Sequence, residues 1–217
     1  MEEAKNLPLL DAVELRVLGS LIEKSKTTPE YYPMTLNALT AACNQKTSRK
    51  PVVQYDEETV VMALNSLRKI GLISIATGGT SRSVKYKHNF AIVYPVNPAD
   101  LAVLCLLFLR GPQTGGELNT NSGRLYEFDA LEEVQLVLDK LAQFESPFVQ
   151  QLPRRAGQKE VRYTHLFGGS MEYTEDELPE EPARKSVNEL EGRVGVLEQE
   201  VAELKEKLEK LMKELMG

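Results

Sequence analysis

Two histidines, two cysteines, three diglycines and a scatter of arginines and lysines are the residues of this chain with chemistry to offer. The histidines share one setting. Val84-Lys85-Tyr86-Lys87-His88-Asn89-Phe90 and Val161-Arg162-Tyr163-Thr164-His165-Leu166-Phe167 both read V-[KR]-Y-x-H-x-F, 77 positions apart. An imidazole can serve as a base or a metal ligand. Neither histidine, however, keeps a carboxylate or cysteine at a spacing found in both copies, so a strand residue retained by duplication is the favoured reading. Cys43 and Cys105 fall inside apolar helical patterns with no paired spacing, which points to reduced core thiols rather than a disulfide, a metal set or a nucleophile. The diglycines at 78, 115 and 168 lack the contexts of a phosphate-binding or dinucleotide loop and read as turns and a linker. No catalytic residue, metal or cofactor is expected, and the chain reads as a non-enzymatic binder.

Binding chemistry rests with the cations. Lys46, Arg49 and Lys50 precede one helical pattern; Arg82, Lys85 and Lys87 flank the first signature; Arg154, Arg155, Lys159 and Arg162 flank the second. Basic residues at equivalent places of two copies could track a phosphate backbone, so double-stranded DNA is a candidate ligand. Exposed hairpins are also often basic for solubility alone, and the two readings weigh about evenly. Asp56-Glu57-Glu58 and Asp129 to Glu133 place carboxylates where two further helices begin, which suits the helix dipole but repels phosphate. A protein-interaction scaffold using those acidic helices is the rival class. Met62 and Asn65 would be its contacts, although partial burial is the safer expectation for Met62. DNA stands slightly ahead.

The elements that must position these residues are themselves written twice. Leu15 to Leu21 and Leu101 to Leu107 share L-x-V-L-x-x-L at an offset of 86, so one small domain is duplicated. In the first copy, helices are expected from Leu10 to about Thr27, from an N-cap at Thr35, and from an N-cap at Asp56 to Gly71. Leu72 to Ile75 and Ser83 to His88 follow as a hairpin. The second copy repeats the order with helices over Ala99–Arg110, from Thr114 to about Asn121, and from Asp129 to about Glu145. Its third helix carries a capping box of Asp129 and Glu132, and its hairpin comprises Phe148–Leu152 and Val161–Phe167. Three helices and a hairpin are the order of a winged helix. The expected fold class is mainly α with small β wings: two tandem winged-helix domains, at 8–92 and 97–169. Each is small enough for its core to be thin and for packing between copies to help.

Residues 170–186 read as an acidic linker, and 187–216 as a coiled-coil helix. Val187, Val194, Val201, Leu208 and Leu215 alternate with Leu190, Leu197, Leu204 and Leu211 in a 3,4 spacing. Valine at a and leucine at d favours a parallel pair, with Arg193 meeting Glu198 and Glu200 meeting Lys205 across it. Gly192 and Gly195 weaken its first turns. A homodimer is expected, held chiefly by Leu190, Val194, Leu197, Val201, Leu204, Leu208, Leu211 and Leu215. The net charge of −6 belongs to this end: residues 1–170 hold 19 Lys and Arg against 18 Asp and Glu, and residues 171–217 hold 7 against 14. A nearly neutral body is a poor advertisement for strong phosphate binding. With no export signal and no apolar run long enough for a bilayer, the chain reads as cytoplasmic with no membrane partner.

Several further stretches carry a resemblance. These are Thr27-Thr28-Pro29-Glu30-Tyr31-Tyr32-Pro33, Leu36-Asn37-Ala38-Leu39, Ala42-Cys43-Asn44-Gln45-Lys46, Arg49-Lys50-Pro51-Val52, Gly116-Glu117-Leu118, Arg124-Leu125-Tyr126-Glu127-Phe128 and Gln151-Leu152-Pro153-Arg154-Arg155. Across roughly Leu10 to Gly169 the chain resembles the YceH-like family of bacterial proteins. The resemblance implies a tandem winged-helix fold and brings no assigned activity and no functional residues.

Overall fold

The computed structural model describes residues 7–76, 83–154 and 160–169. Helix α1 (Ala12–Thr27) starts in a capping box: Asp11 Oδ1 accepts from the Val13 and Glu14 N–H groups, and the Glu14 carboxylate accepts from the Asp11 N–H, each at 2.8 Å. A single 3-10 turn at Pro29–Tyr31 follows, then a two-residue strand, β1 (Met34–Thr35). Thr35 caps α2 (Leu36–Cys43) and Asp56 caps α3 (Glu57–Lys69), as expected. Gly71, at φ 79°, turns the chain out of α3 in a left-handed conformation that glycine takes without steric cost. Strands β2 (Ile73–Ala76) and β3 (Lys85–His88) form the hairpin.

One turn of helix, α4 (Phe90–Val93), leads to the second half. Helix α5 (Pro98–Arg110) has Pro98 in its first turn and a capping box of Asn97 with Asp100; β4 (Gln113–Thr114) and α6 (Gly115–Ser122) follow. Helix α7 (Leu131–Ala142) departs from expectation at both ends. Its N-cap is Ala130, which has no side-chain acceptor; instead Glu133 reaches back to the Asp129 N–H at 3.1 Å and accepts from the Tyr126 hydroxyl at 3.0 Å. It ends three residues early, because Pro147 biases the preceding backbone away from the helical region and Phe144 turns to stack on Phe148 with ring centroids 4.7 Å apart. Strands β5 (Val149–Gln151) and β6 (Arg162–His165) close this half.

The fold is mixed α+β, with seven α-helices and two small antiparallel sheets among the described residues. The sheets have the same order, β1-β3-β2 and β4-β6-β5, and the same register. Tyr86 lies opposite Met34 and Ile75, as Tyr163 lies opposite Gln113 and Gln151; His88 faces Ile73, as His165 faces Val149. The short strands β1 and β4 carry no alternating pattern long enough to read from sequence. They exist because the residues entering α2 and α6 cover the free edge of each hairpin.

Met1–Met171 forms one compact unit. Its halves share one hydrophobic core in which α1 packs on α5. Gly19 and Cys105 occupy the same place in the repeated pattern and meet at the crossing, where the Cys105 thiol donates to the Gly19 carbonyl at 3.4 Å. A Cβ on Gly19 would stand 2.9 Å from Leu109 Cδ2, so glycine permits the close approach. The phenylalanines that end the two signatures also meet. Phe90 and Phe167 lie 5.4 Å apart, and both pack on Phe108 and Tyr94. The Leu10 N–H donates to the Phe167 carbonyl at 2.6 Å, tying the start of one half to the end of the other. The linker and the heptad residues from Val187 to Leu215 lie outside the described residues.

Candidate functional site

The outward faces of α3 and α7, with the loops and hairpins beside them, carry the residues that the sequence reading marks as candidate contacts. Both helices bury the same stripe: Val60, Ala63, Leu64 and Leu67 in α3, and Val134, Val137, Leu138 and Leu141 in α7. Aligning these stripes makes Met62 and Leu136 equivalent. Both are exposed, Met62 by 63% and Leu136 by 69%. The partial burial expected for Met62 is therefore corrected: the side chain lies one step off the buried stripe, with no element among the described residues covering it. One turn before each stands an exposed carboxylate, Glu58 or Glu132, and one turn after stands Asn65 or Asp139. Asp139 is held by the Gln135 amide at 2.8 Å, and that amide also reaches the Tyr163 hydroxyl at 3.0 Å. Asp56, at the start of α3, has its carboxyl held below the ordinary range by its hydrogen bond from Thr59, so this end stays anionic at neutral pH.

The cations differ in their exposure. Lys46, Lys50, Lys87 and Arg154 are exposed and Lys85 is half-buried. Arg49 and Arg162 are not available to phosphate, which corrects the expectation for both. Arg49 is buried, its guanidinium fixed by the Glu23 carboxylate at 2.6 and 3.0 Å and by the Ala42 and Ser48 carbonyls. Arg162 is buried against Glu117, at 2.6 and 3.0 Å, and against the Pro112 carbonyl. A guanidinium removed from water needs its donors matched, and in each case a carboxylate takes two of them while backbone carbonyls take others. Burial would push the Glu23 carboxyl up, but Arg49 and Lys24 outweigh it and hold it below its ordinary value. Arg82, Arg155 and Lys159 lie outside the described residues.

The histidines sit where a strand residue kept by duplication would sit, each against the first long helix of its own half. His88 Nε2 lies 3.2 Å from Ser25 Oγ, and the His165 ring packs edge-on to Phe108 at 5.0 Å. Burial drives both pKa values down to about 4, with Lys26 adding to the effect on His88. Burial also raises both thiols, Cys43 and Cys105, which suits inert core cysteines. Among the described residues no group of three or more His, Cys, Asp or Glu side chains could hold a metal, and no helix is long and apolar enough to cross a membrane.

Reading the sequence missed a polar cleft of about 230 Å³ between the halves, lined by the end of α1, the loop after α2, and α5 and α6. Its residues come from four segments with no shared motif, so only the fold brings them together.

The family described as "Protein of unknown function, DUF480" matches residues 10–158, which takes in the first sheet and the second half as far as β5. The chain belongs to that family. Full-length relatives agree. It is 48% identical over 193 residues to a UPF0502 protein of Opitutus terrae, covering 88% of this chain and 84% of that one. It is 48% identical over 200 residues to a UPF0502 protein of Solibacter usitatus, covering 92% and 95%. A UPF0502 protein of Shewanella oneidensis is 47% identical over 215 residues, covering 93% and 97%.

Proposed function

We propose that this DUF480 protein is a non-catalytic docking protein. Its two halves are winged-helix modules fused about one core, and their third helices, α3 and α7, grip a protein partner. The observation that carries the reading is the paired exposure of Met62 and Leu136 at equivalent turns of those helices, each beside carboxylates. An isolated exposed apolar residue needs no explanation, but the same one in both halves at the same turn is a repeated feature. Its chemistry fits a segment that places an apolar side chain between lysines or arginines.

DNA is the second reading, supported by the exposed Lys46, Lys50, Lys87 and Arg154. It is weakened by the loss of Arg49 and Arg162 to internal pairs and by the acidic starts of α3 and α7. Photo-crosslinking amino acids placed at positions 62 and 136, and as controls at 87 and 154, separate the two. The first pair is expected to capture a polypeptide in cells, with capture lost in Met62→Glu and Leu136→Glu. A shift of mixed duplex DNA at low salt that Lys46→Ala, Lys50→Ala, Lys87→Ala and Arg154→Ala together abolish would replace this reading with DNA binding.

A further inference from the structure

We infer that the cleft between the two halves is a binding site for a small phosphate-bearing molecule, no larger than a phosphorylated sugar. The cleft is cationic. Lys24 at the end of α1, Arg110 at the end of α5 and Arg124 after α6 line it, against one carboxylate among the described residues, Glu23, which Arg49 engages at 2.6 Å and Lys24 at 3.2 Å while Lys24 also donates to Gln45. Arg124 is exposed and makes no hydrogen bond or ion pair with another described residue. Arg110 is half committed: its Nη2 donates to Ser48 Oγ at 2.9 Å, while its buried Nε has no partner among the described residues. Arg110 Nη1 and the Arg124 guanidinium have no partner among the described residues, and an oxyanion seated in the cleft would give them one.

Ser48 adds an independent observation. Its φ is +58°, and it is alone among the described non-glycine residues in the left-handed region. That conformation is strained for a residue with a Cβ and persists only where neighbours over-determine it. Here the neighbours are the two arginines: Arg49 bonds the Ser48 carbonyl at 3.0 Å and Arg110 bonds its hydroxyl. The backbone N–H of Lys50 then docks the same loop on the Leu109 carbonyl at 2.8 Å. The loop is thus held in a strained shape at the rim of the cleft, with its hydroxyl beside Arg110.

The ligand's size and character follow from the walls. About 230 Å³ lies below the roughly 300 Å³ at which drug-sized pockets begin. Leu106, Leu109 and Leu125 give the cleft an apolar side, so a carbon skeleton can rest against it while the phosphate meets the cations. The site is separate from the docking faces, and its test does not depend on them.

Isothermal titration of the full-length protein with ribose 5-phosphate, and with ribose as the uncharged control, tests the inference. Saturable binding of the phosphate and none of ribose is expected. Arg124→Ala and Arg110→Gln should each weaken it about tenfold or more, the worth of one charge-assisted bond. Arg124→Ala removes no internal bond to a described residue, so an unchanged unfolding midpoint without ligand will show that it folds normally even if Arg110→Gln does not. Three results would each overturn the inference: no saturable binding of ribose 5-phosphate, equal affinity in the Arg124→Ala protein, or displacement by mixed duplex DNA at equal phosphate concentration.

Discussion

At the scale of single residues, the repeated histidines are conditional on pH in a way their sequence setting does not announce. Both fold neutral, with pKa values near 4 against an ordinary 6.5. The unfolded chain therefore binds more protons than the native one across that interval. Stability from these groups is full above about pH 6.5, falls as the pH drops, and levels off below about pH 4. The limit is roughly 3 kcal/mol per histidine. Guanidinium unfolding at pH 7 and pH 5 should show a lower midpoint at pH 5, and His88→Gln with His165→Gln should flatten the difference; an equal slope in that double variant would remove the histidines as its cause. The cations teach the opposite lesson. Arg49 and Lys50 are neighbours with the same formal chemistry, yet one is buried on Glu23 and the other exposed. Nothing local separates them, because Arg49's partner lies 26 residues away on α1.

At the scale of elements, the parts readable in the sequence were those set by short-range rules. Caps at Thr35 and Asp56, the glycine stop at 71, and both hairpins follow from hydrogen bonds and dihedral limits within a few residues. Strands β1 and β4 were not readable, since two residues have no period. The start of α7 misled because Asp129 looks like a cap, while the nearby Tyr126 hydroxyl and Glu133 define the turn instead. The α1–α5 crossing was legible only as a repeated pattern, and its tightness comes from Gly19. Gly19→Ala should force Leu109, which is 1% exposed, out of its packing at a cost of about 1–3 kcal/mol. A denaturation midpoint unchanged within error would mean that the crossing gives way more easily than its contacts imply. Gly115, whose added Cβ would come no closer than 3.4 Å to a neighbouring side chain, is the fitting control.

At the scale of the whole molecule, fusing the two halves about Phe90 and Phe167 holds α3 and α7 at a fixed spacing, so the proposed partner would meet two apolar knobs at once rather than two independent ones. A dimer would double that number. Its proposed source, the leucine seam from Leu190 to Leu215, needs another surface to bury it. A second copy of the same seam is the proposed surface, since in a parallel pair Arg193 would meet Glu198 and Glu200 would meet Lys205. Light scattering should give twice the 24.3 kDa chain mass for the full protein. A chain ending at Gly169 should give a single folded copy. If both run as single copies, the seam is buried within its own chain; if both run as pairs, the described body forms the interface and the tail does not.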